Sequence, residues 1–286
     1  MKKTILYIMS DVRSGSTLLE NILATTPYSI SVGELKLLET YVNYGKVNQT
    51  EDLKCNCGNN WKNCELWSDI ITKVKDKYNG DLSLQMKPKT NKIYKLKNYP
   101  NKNQLNNKIR EKLNFVYSLI FINKNVNTII DSSKDEIQLL GIYNQLDFDV
   151  KIIYIKRDIR AVTYSKLKWL KKLKEIEENK YKILFLCALK RIKQNLVFTK
   201  IAEKDKLILS YEEIAKDTQK TLDKISEKFD LEKIEVTGYM NSQLTHAIAG
   251  TPDRTPNRKI VYDDTWRQKS RSFIFNTIGS LLNKLL

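Results

Sequence analysis

The chain opens on an apolar run that does not alternate. Thr4 to Met9 reads as a strand buried on both faces, because every position after Thr4 is apolar. A small polar turn follows, and Thr17 to Ala24 then has the spacing of a helix. The same strand, turn and helix pattern recurs. "PYSISVGEL" predicts a short strand that ends in a turn at Gly33, with Glu34 just beyond it. "NTIIDSSKD", Asn127 to Asp135, predicts another. Val150 to Ile155 is apolar and β-branched, Arg157 to Arg160 is a turn, and a basic helix follows. Leu207 to Leu209 precedes a helix that runs to about Phe229. Strands alternating with helices predict an α/β fold, a parallel β-sheet flanked by helices on both faces. Ligands of such sheets sit at the carboxyl ends of the strands, which here carry the loops at Arg13, Ser132 and Arg157.

Two regions depart from this rhythm. Residues from about 43 to 125 are rich in lysine and asparagine, with few strand signals and helical spacing in "IREKLNFVYSLIFINK". They read as a mainly helical insertion with long loops in a single domain spanning 1–286. The last segment, "SFIFNTIGSLLNKLL", sets Ile274, Phe275, Ile278, Leu281, Leu282 and Leu285 on one helical stripe. A terminal helix docked on the core is the favoured reading. A membrane-surface helix would want more positive charge on its opposite face.

Charge changes this picture only in part. The net charge is +17, with ordinary hydrophobic (41%) and charged (29%) fractions. An excess of this size suits an anionic partner. Most of it is lysine in an asparagine- and isoleucine-rich chain, so a solvated face accounts better for the total, and individual arginines carry the functional weight. No run is long enough for a signal core or a membrane span, which predicts a soluble, cytoplasmic protein. Four cysteines are too few for a disulfide scaffold.

Two loops carry candidate chemistry. In "SDVRSGST" the unpaired amides of a helix start would bind an anion, and Gly15 would let the backbone come close to it. Ser14, Ser16 and Thr17 add hydroxyls, and Arg13 adds a planar charged fork. The triphosphate-binding loop would place lysine after the last glycine, whereas here the cation precedes it. In "YIKRDIRAVTYSKLK" Arg157 leaves a strand end and Ser165 lies two helical turns on, where they could grip a second phosphate.

Taken in this order, the two loops resemble the sulfotransferase family, of bacterial and carbohydrate type, which uses 3′-phosphoadenosine 5′-phosphosulfate (PAPS) and releases the 3′,5′-bisphosphate (PAP). The resemblance implies a 5′-phosphosulfate loop of Arg13, Ser14, Gly15, Ser16, Thr17 and Leu18. It implies that Arg157 and Ser165 hold the 3′-phosphate, with Arg258 and Lys259 reaching it from a C-terminal loop. "VGEL", "IIDSSKD", "LSYEEIAKDTQKTLDKISEKFDL" and "HAIAGTPDRTPNRKIVYDDTWRQ" are similar to further family segments. Ile159 stands where the family often has proline, and Thr251 where it has asparagine. By the same resemblance Glu34 is the first choice of base for an acceptor hydroxyl, and His246, the only histidine, is the second. Arg13, Lys134 and the amides of Gly15, Ser16 and Thr17 would stabilise the departing phosphate. The family needs no metal for this transfer, and the expected acceptor is a saccharide, lipid or small metabolite. Two other readings compete: a P-loop nucleotide kinase or triphosphatase, and a basic nucleic-acid-binding protein, for which no recognised module is present.

"CNCGNNWKNCELW" places Cys55, Cys57 and Cys64 together. They could give three ligands of a zinc site, but no fourth is evident nearby and the spacing is unusual. A disulfide is the other option, resisted by a reducing compartment. A structural role near the acceptor side is expected.

Overall fold

The computed structural model describes residues 3–26, 28–43, 55–85, 107–143, 146–236, 239–240, 245–249, 258–270 and 272–286. The central sheet has five parallel strands in the order β2-β3-β1-β4-β5. They are β1 (Thr4–Ser10), β2 (Ser29–Gly33), β3 (Thr128–Asp131), β4 (Asp149–Lys156) and β5 (Lys206–Ser210). The helices are α1 (Ser16–Leu23), α2 (Leu38–Asn43), α3 (Trp67–Lys77), α4 (Asn107–Lys124), α5 (Glu136–Ile142), α6 (Ile159–Lys174), α7 (Lys180–Phe198), α8 (Tyr211–Lys216), α9 (Thr218–Phe229), α10 (Trp266–Lys269) and α11 (Phe273–Leu285). Tyr239–Met240 (β6) and Arg258–Lys259 (β7) form a separate antiparallel pair.

All seven residues of β1 are buried, because both faces of the sheet are covered. Leu6 and Ile8, with Ile153, Ile155 and Leu209, pack against α1, α8 and α9. Ile5, Tyr7 and Met9 face the other way, with Ile152 and Tyr154, onto α3, α4 and α5. The helices of the 43–125 region therefore belong to the main core. Trp67, Ile70, Val74, Leu113, Val116 and Ile120 are fully buried in the same cluster as Ile5 and Tyr7.

Local chemistry explains the helix starts. Ser210 and Glu213 form a reciprocal capping box that launches α8 directly from β5. The helix predicted from here to about Phe229 is two helices, broken at Asp217. Asp158 caps α6 by accepting from the Arg160 amide at 2.9 Å. Ile159 is then the first helical residue, where proline is favoured because that N–H usually has no partner. Here the Ile159 N–H donates to Asn283 Oδ1 of α11 at 2.9 Å, a bond that proline could not make.

The terminal stripe docks only in part. Phe275 is fully buried against Ile159, Val162, Ile183 and Leu184, and Leu282 packs on the same cluster. Ile274, Ile278, Leu281 and Leu285 are exposed. Gly279 explains the rotation. It lies so close to Arg160 that a Cβ there would come within 2.4 Å of Cγ, so the glycine face, not the aliphatic one, turns inward. Among the described residues no helix is long and apolar enough to cross a membrane.

Candidate functional site

The loops at Arg13, Glu34, Ser132 and Arg157 lie at the carboxyl end of the sheet. Ser10 of β1 pairs in register with Ile155 of β4, so the loops after these strands leave the sheet side by side. The contacts between them are direct. Arg13 Nε donates to Ser165 Oγ at 3.0 Å, and Arg157 Nη1 donates to the Arg13 carbonyl at 3.0 Å. The first loop runs through left-handed backbone at Arg13 (φ 73) and Gly15 (φ 90). Gly15 is obligatory on packing grounds as well, since a Cβ would sit 2.5 Å from the Tyr211 ring. No side chain caps α1, and its first residue, Ser16, is buried. Thr17 and Leu18 are partly buried, and Leu18 packs on the core.

Arg157 is almost enclosed. Its guanidinium lies 4.1 Å above the Tyr211 ring, and its Nη2 donates to the Asp263 carbonyl at 3.0 Å and to Asp263 Oδ2 at 3.3 Å. Asp263 is itself fixed by its amide, which donates to Tyr211 Oη at 3.0 Å. Burial works to raise the Asp263 carboxyl, but hydrogen bonds from Thr265 and the charge of Arg157 outweigh it and hold its pKa below the ordinary value. Ser10 Oγ, Ser14 Oγ and Arg157 Nε are buried at this junction without a protein partner. Buried polar atoms are rarely left so, and two hydroxyls beside two guanidinium groups form a donor set suited to a polyanion.

On the far side of β1, the Lys134 ammonium lies 2.7 Å from Glu34 Oε1, and both side chains are largely buried. Lys134 also adopts left-handed backbone (φ 61). Gly33 (φ 70) meets the 245–249 segment. The Ile248 amide donates to the Val32 carbonyl at 3.1 Å, and the Glu34 amide donates to the Ile248 carbonyl at 2.9 Å. Three strand spacings separate the Glu34 loop from the Arg157 loop, about 14 Å.

Two buried carboxylates lie here, of which Glu20 was not singled out from the sequence. Glu20, on α1, accepts from Ser31 Oγ at 2.5 Å and from Ser132 Oγ, which ties the helix to β2 and to the loop after β3. No sequence signal marks it, since it lies within an otherwise ordinary amphipathic helix. Asp131 accepts from Tyr117 Oη at 2.6 Å and from the Ser133 amide at 2.8 Å, and burial pushes its pKa up to about 6. Tyr211 was also missed. The capping box in "LSYEE" could have found it, because it fixes Tyr211 as the first helical residue beyond a strand end.

His246 lies with the three cysteines. Its Nδ1 lies 3.3 Å from Cys64 Sγ and 3.7 Å from Cys55 Sγ, and Cys57 Sγ is 3.8 Å from Cys64 Sγ. This is the fourth residue that the local cysteine spacing did not reveal. Within the Cys55–Cys64 pair, the shared hydrogen bond favours a thiolate on Cys64 and a neutral thiol on Cys55. The Arg258 side chain and Thr251 lie outside the described residues; Lys259 is exposed. A cavity of about 430 Å³ opens at the opposite, amino ends of the strands, lined by Thr4, Tyr28, Thr128 and Phe229, and no predicted site residue lines it.

Three solved structures with a similar architecture are sulfotransferases or sulfotransferase domains. The sulfotransferase domain from the Synechococcus PCC 7002 olefin synthase matches with a TM-score of 0.56 at 19% identity, over 100% of this chain and 96% of its own. The sulfotransferase domain from the curacin biosynthetic pathway gives 0.53 at 19% identity, over 99% and 98%. Mouse sulfotransferase SULT7A1, complexed with PAP, gives 0.50 at 15% identity, over 99% and 83%. The chain therefore has the sulfotransferase fold, a parallel sheet flanked by helices. No family model and no curated protein matches the sequence.

Proposed function

We propose that this protein is a sulfotransferase that takes PAPS as donor and an acceptor hydroxyl as its second substrate. The observation that carries the reading is the junction of Arg13, Ser165 and Arg157, which joins the two anion loops into one site. Residues Arg13 to Leu18 would receive the 5′-phosphosulfate, with Ser14 Oγ and the amides of Gly15, Ser16 and Thr17 as donors. Arg157 and Ser165 would hold the 3′-phosphate, which replaces Asp263 as the partner of Arg157. When bound, PAPS supplies a sulfuryl group whose bond to the 5′-phosphate oxygen breaks with the electron pair staying on that oxygen. Arg13 and the start of α1 would stabilise the charge that develops there, and such preorganised donors contribute a few kcal/mol each.

Glu34 would take the acceptor proton, with Lys134, 2.7 Å away, orienting its carboxylate until the acceptor arrives. The acceptor is a saccharide, lipid or small metabolite, and residues 43–125 of the single 1–286 domain would shape its pocket. Four free cysteines fit a cytoplasmic location. The test is calorimetry with PAP, with the analogue lacking the 3′-phosphate, and with ATP. PAP should bind without metal, loss of its 3′-phosphate should weaken binding, and Arg157→Ala should abolish the difference. Equal affinity for ATP, or no binding of PAP, would overturn the reading. Steeply salt-dependent binding to generic DNA would favour the nucleic-acid alternative.

A further inference from the structure

Cys55, Cys57, Cys64 and His246 come from two segments far apart in sequence, yet their ligand atoms all lie within 4.8 Å of one another. A tetrahedral zinc ion with Zn–S of about 2.3 Å and Zn–N of about 2.0 Å demands edges of about 3.8 Å between sulfurs and about 3.5 Å from sulfur to nitrogen. The spacings found are 3.8 Å for Cys57–Cys64, 3.7 Å for Cys55–His246 and 3.3 Å for Cys64–His246. A disulfide would engage two of the thiols and leave the third, and the imidazole, with no reason to converge. Three soft thiolates and one imidazole select zinc over hard cations. We propose that these four residues form a structural zinc site.

Four protein ligands leave no open position, so the ion neither binds nor activates a substrate. Its effect is mechanical. The surroundings of His246 are already fixed: its carbonyl accepts from the Trp67 indole at 2.7 Å, and the Asn56 amide donates to the Ala247 carbonyl at 3.2 Å. Asn56 Nδ2 donates to Thr245 Oγ1 at 2.6 Å. Outer-shell bonds of this kind orient ligands before the ion arrives. The segment they hold continues to Ile248, which forms a parallel bridge with Gly33 and accepts the Glu34 amide. Zinc would thus clamp residues 245–249 to the 55–64 loop, and through them set the backbone of Glu34. Binding replaces the thiol protons and releases them to solvent, so uptake should weaken as pH falls.

Elemental analysis of untagged protein, purified under reducing conditions, should find a single zinc per chain. Anaerobic replacement by Co²⁺ should give the intense visible bands of tetrahedral cobalt and thiolate charge transfer in the near ultraviolet. Cys64→Ala should lose the metal. His246→Cys should keep it and gain charge-transfer intensity, a change that a misfolded variant would not produce. Removing zinc from the wild type should speed hydrogen exchange at the Glu34 amide. The proposal fails if reduced, metal-free wild type takes up neither ion, if cobalt gives an octahedral spectrum, or if the spectrum is unchanged in His246→Cys. Thiol trapping that finds a Cys57–Cys64 disulfide in freshly lysed cells would overturn it too. None of these readouts depends on catalysis.

Discussion

Arg13 Nε donates to Ser165 Oγ at 3.0 Å across 152 residues of sequence. The bond joins a loop that leaves β1 to a helix that follows β4, and it exists because these strands are neighbours in the sheet. In Ser165→Ala the Arg13 fork loses one acceptor and its fixed direction. A single bond to a charged group contributes about 1.5 kcal/mol or more, so PAP should bind roughly tenfold more weakly. Titration calorimetry checks this; unchanged affinity would remove Ser165 from the donor site.

Glu34 and Lys134 act as one unit, at 2.7 Å and with little solvent between them. Glu34→Gln should lower kcat by about 10²- to 10⁴-fold and leave PAP affinity near its wild-type value. Lys134→Ala should lower kcat as well, and the double variant should lose much less than the product of the two. Steady-state kinetics with any accepted hydroxyl reads all three. A Glu34→Gln enzyme with wild-type turnover would exclude Glu34 as base.

Asp131 sets a pH dependence of stability. Its pKa is pushed by burial from the ordinary 3.8 to about 6. The folded state therefore keeps this proton in a range where the unfolded chain releases it. Its contribution is complete below about pH 4 and is lost as pH rises to about 6, by up to roughly 3 kcal/mol. Asp131→Asn cannot titrate, so the difference between wild-type and variant urea midpoints should change between those limits and be flat above them. A difference that stays constant between those two values would show an unperturbed carboxyl.

Gly33→Ala should be costly. A Cβ there would lie 2.3 Å from the Ile248 carbonyl oxygen, and φ is +70. Backbone cannot rotate away as a side chain can, so a loss of about 2 kcal/mol or more is expected. Urea unfolding measures it, and faster exchange at the Ile248 amide would locate the damage.

The strands and the loops that follow them were legible for one physical reason. Strands buried on both faces must be apolar throughout, and runs such as Ile152 to Ile155 advertise their ends, where ligands bind. What the chain hid were contacts made by distance in sequence. His246 completes the cysteine cluster from 182 residues away, and no spacing rule reaches that far. The helix containing Glu20 reads as ordinary, because a buried carboxylate looks like a solvated one until its hydroxyl donors from β2 and the loop after β3 are in place. The terminal stripe misled because apolar content says how much could be buried, while Gly279 decides which side approaches Arg160. The break at Asp217 carries neither glycine nor proline to announce it.

Arg13 and Lys134 both hold left-handed backbone, where a residue other than glycine sits at a cost of about 1 kcal/mol or more. Glycine would relax each of them. Tyr28, Glu175 and Ala249 hold the same backbone and carry no proposed role, so that strain can be relieved without touching the two cations on which the proposed transfer depends. A sturdier variant that still turns over should therefore carry its new glycines at those positions and keep Arg13 and Lys134, whose side chains bond Ser165 and Glu34.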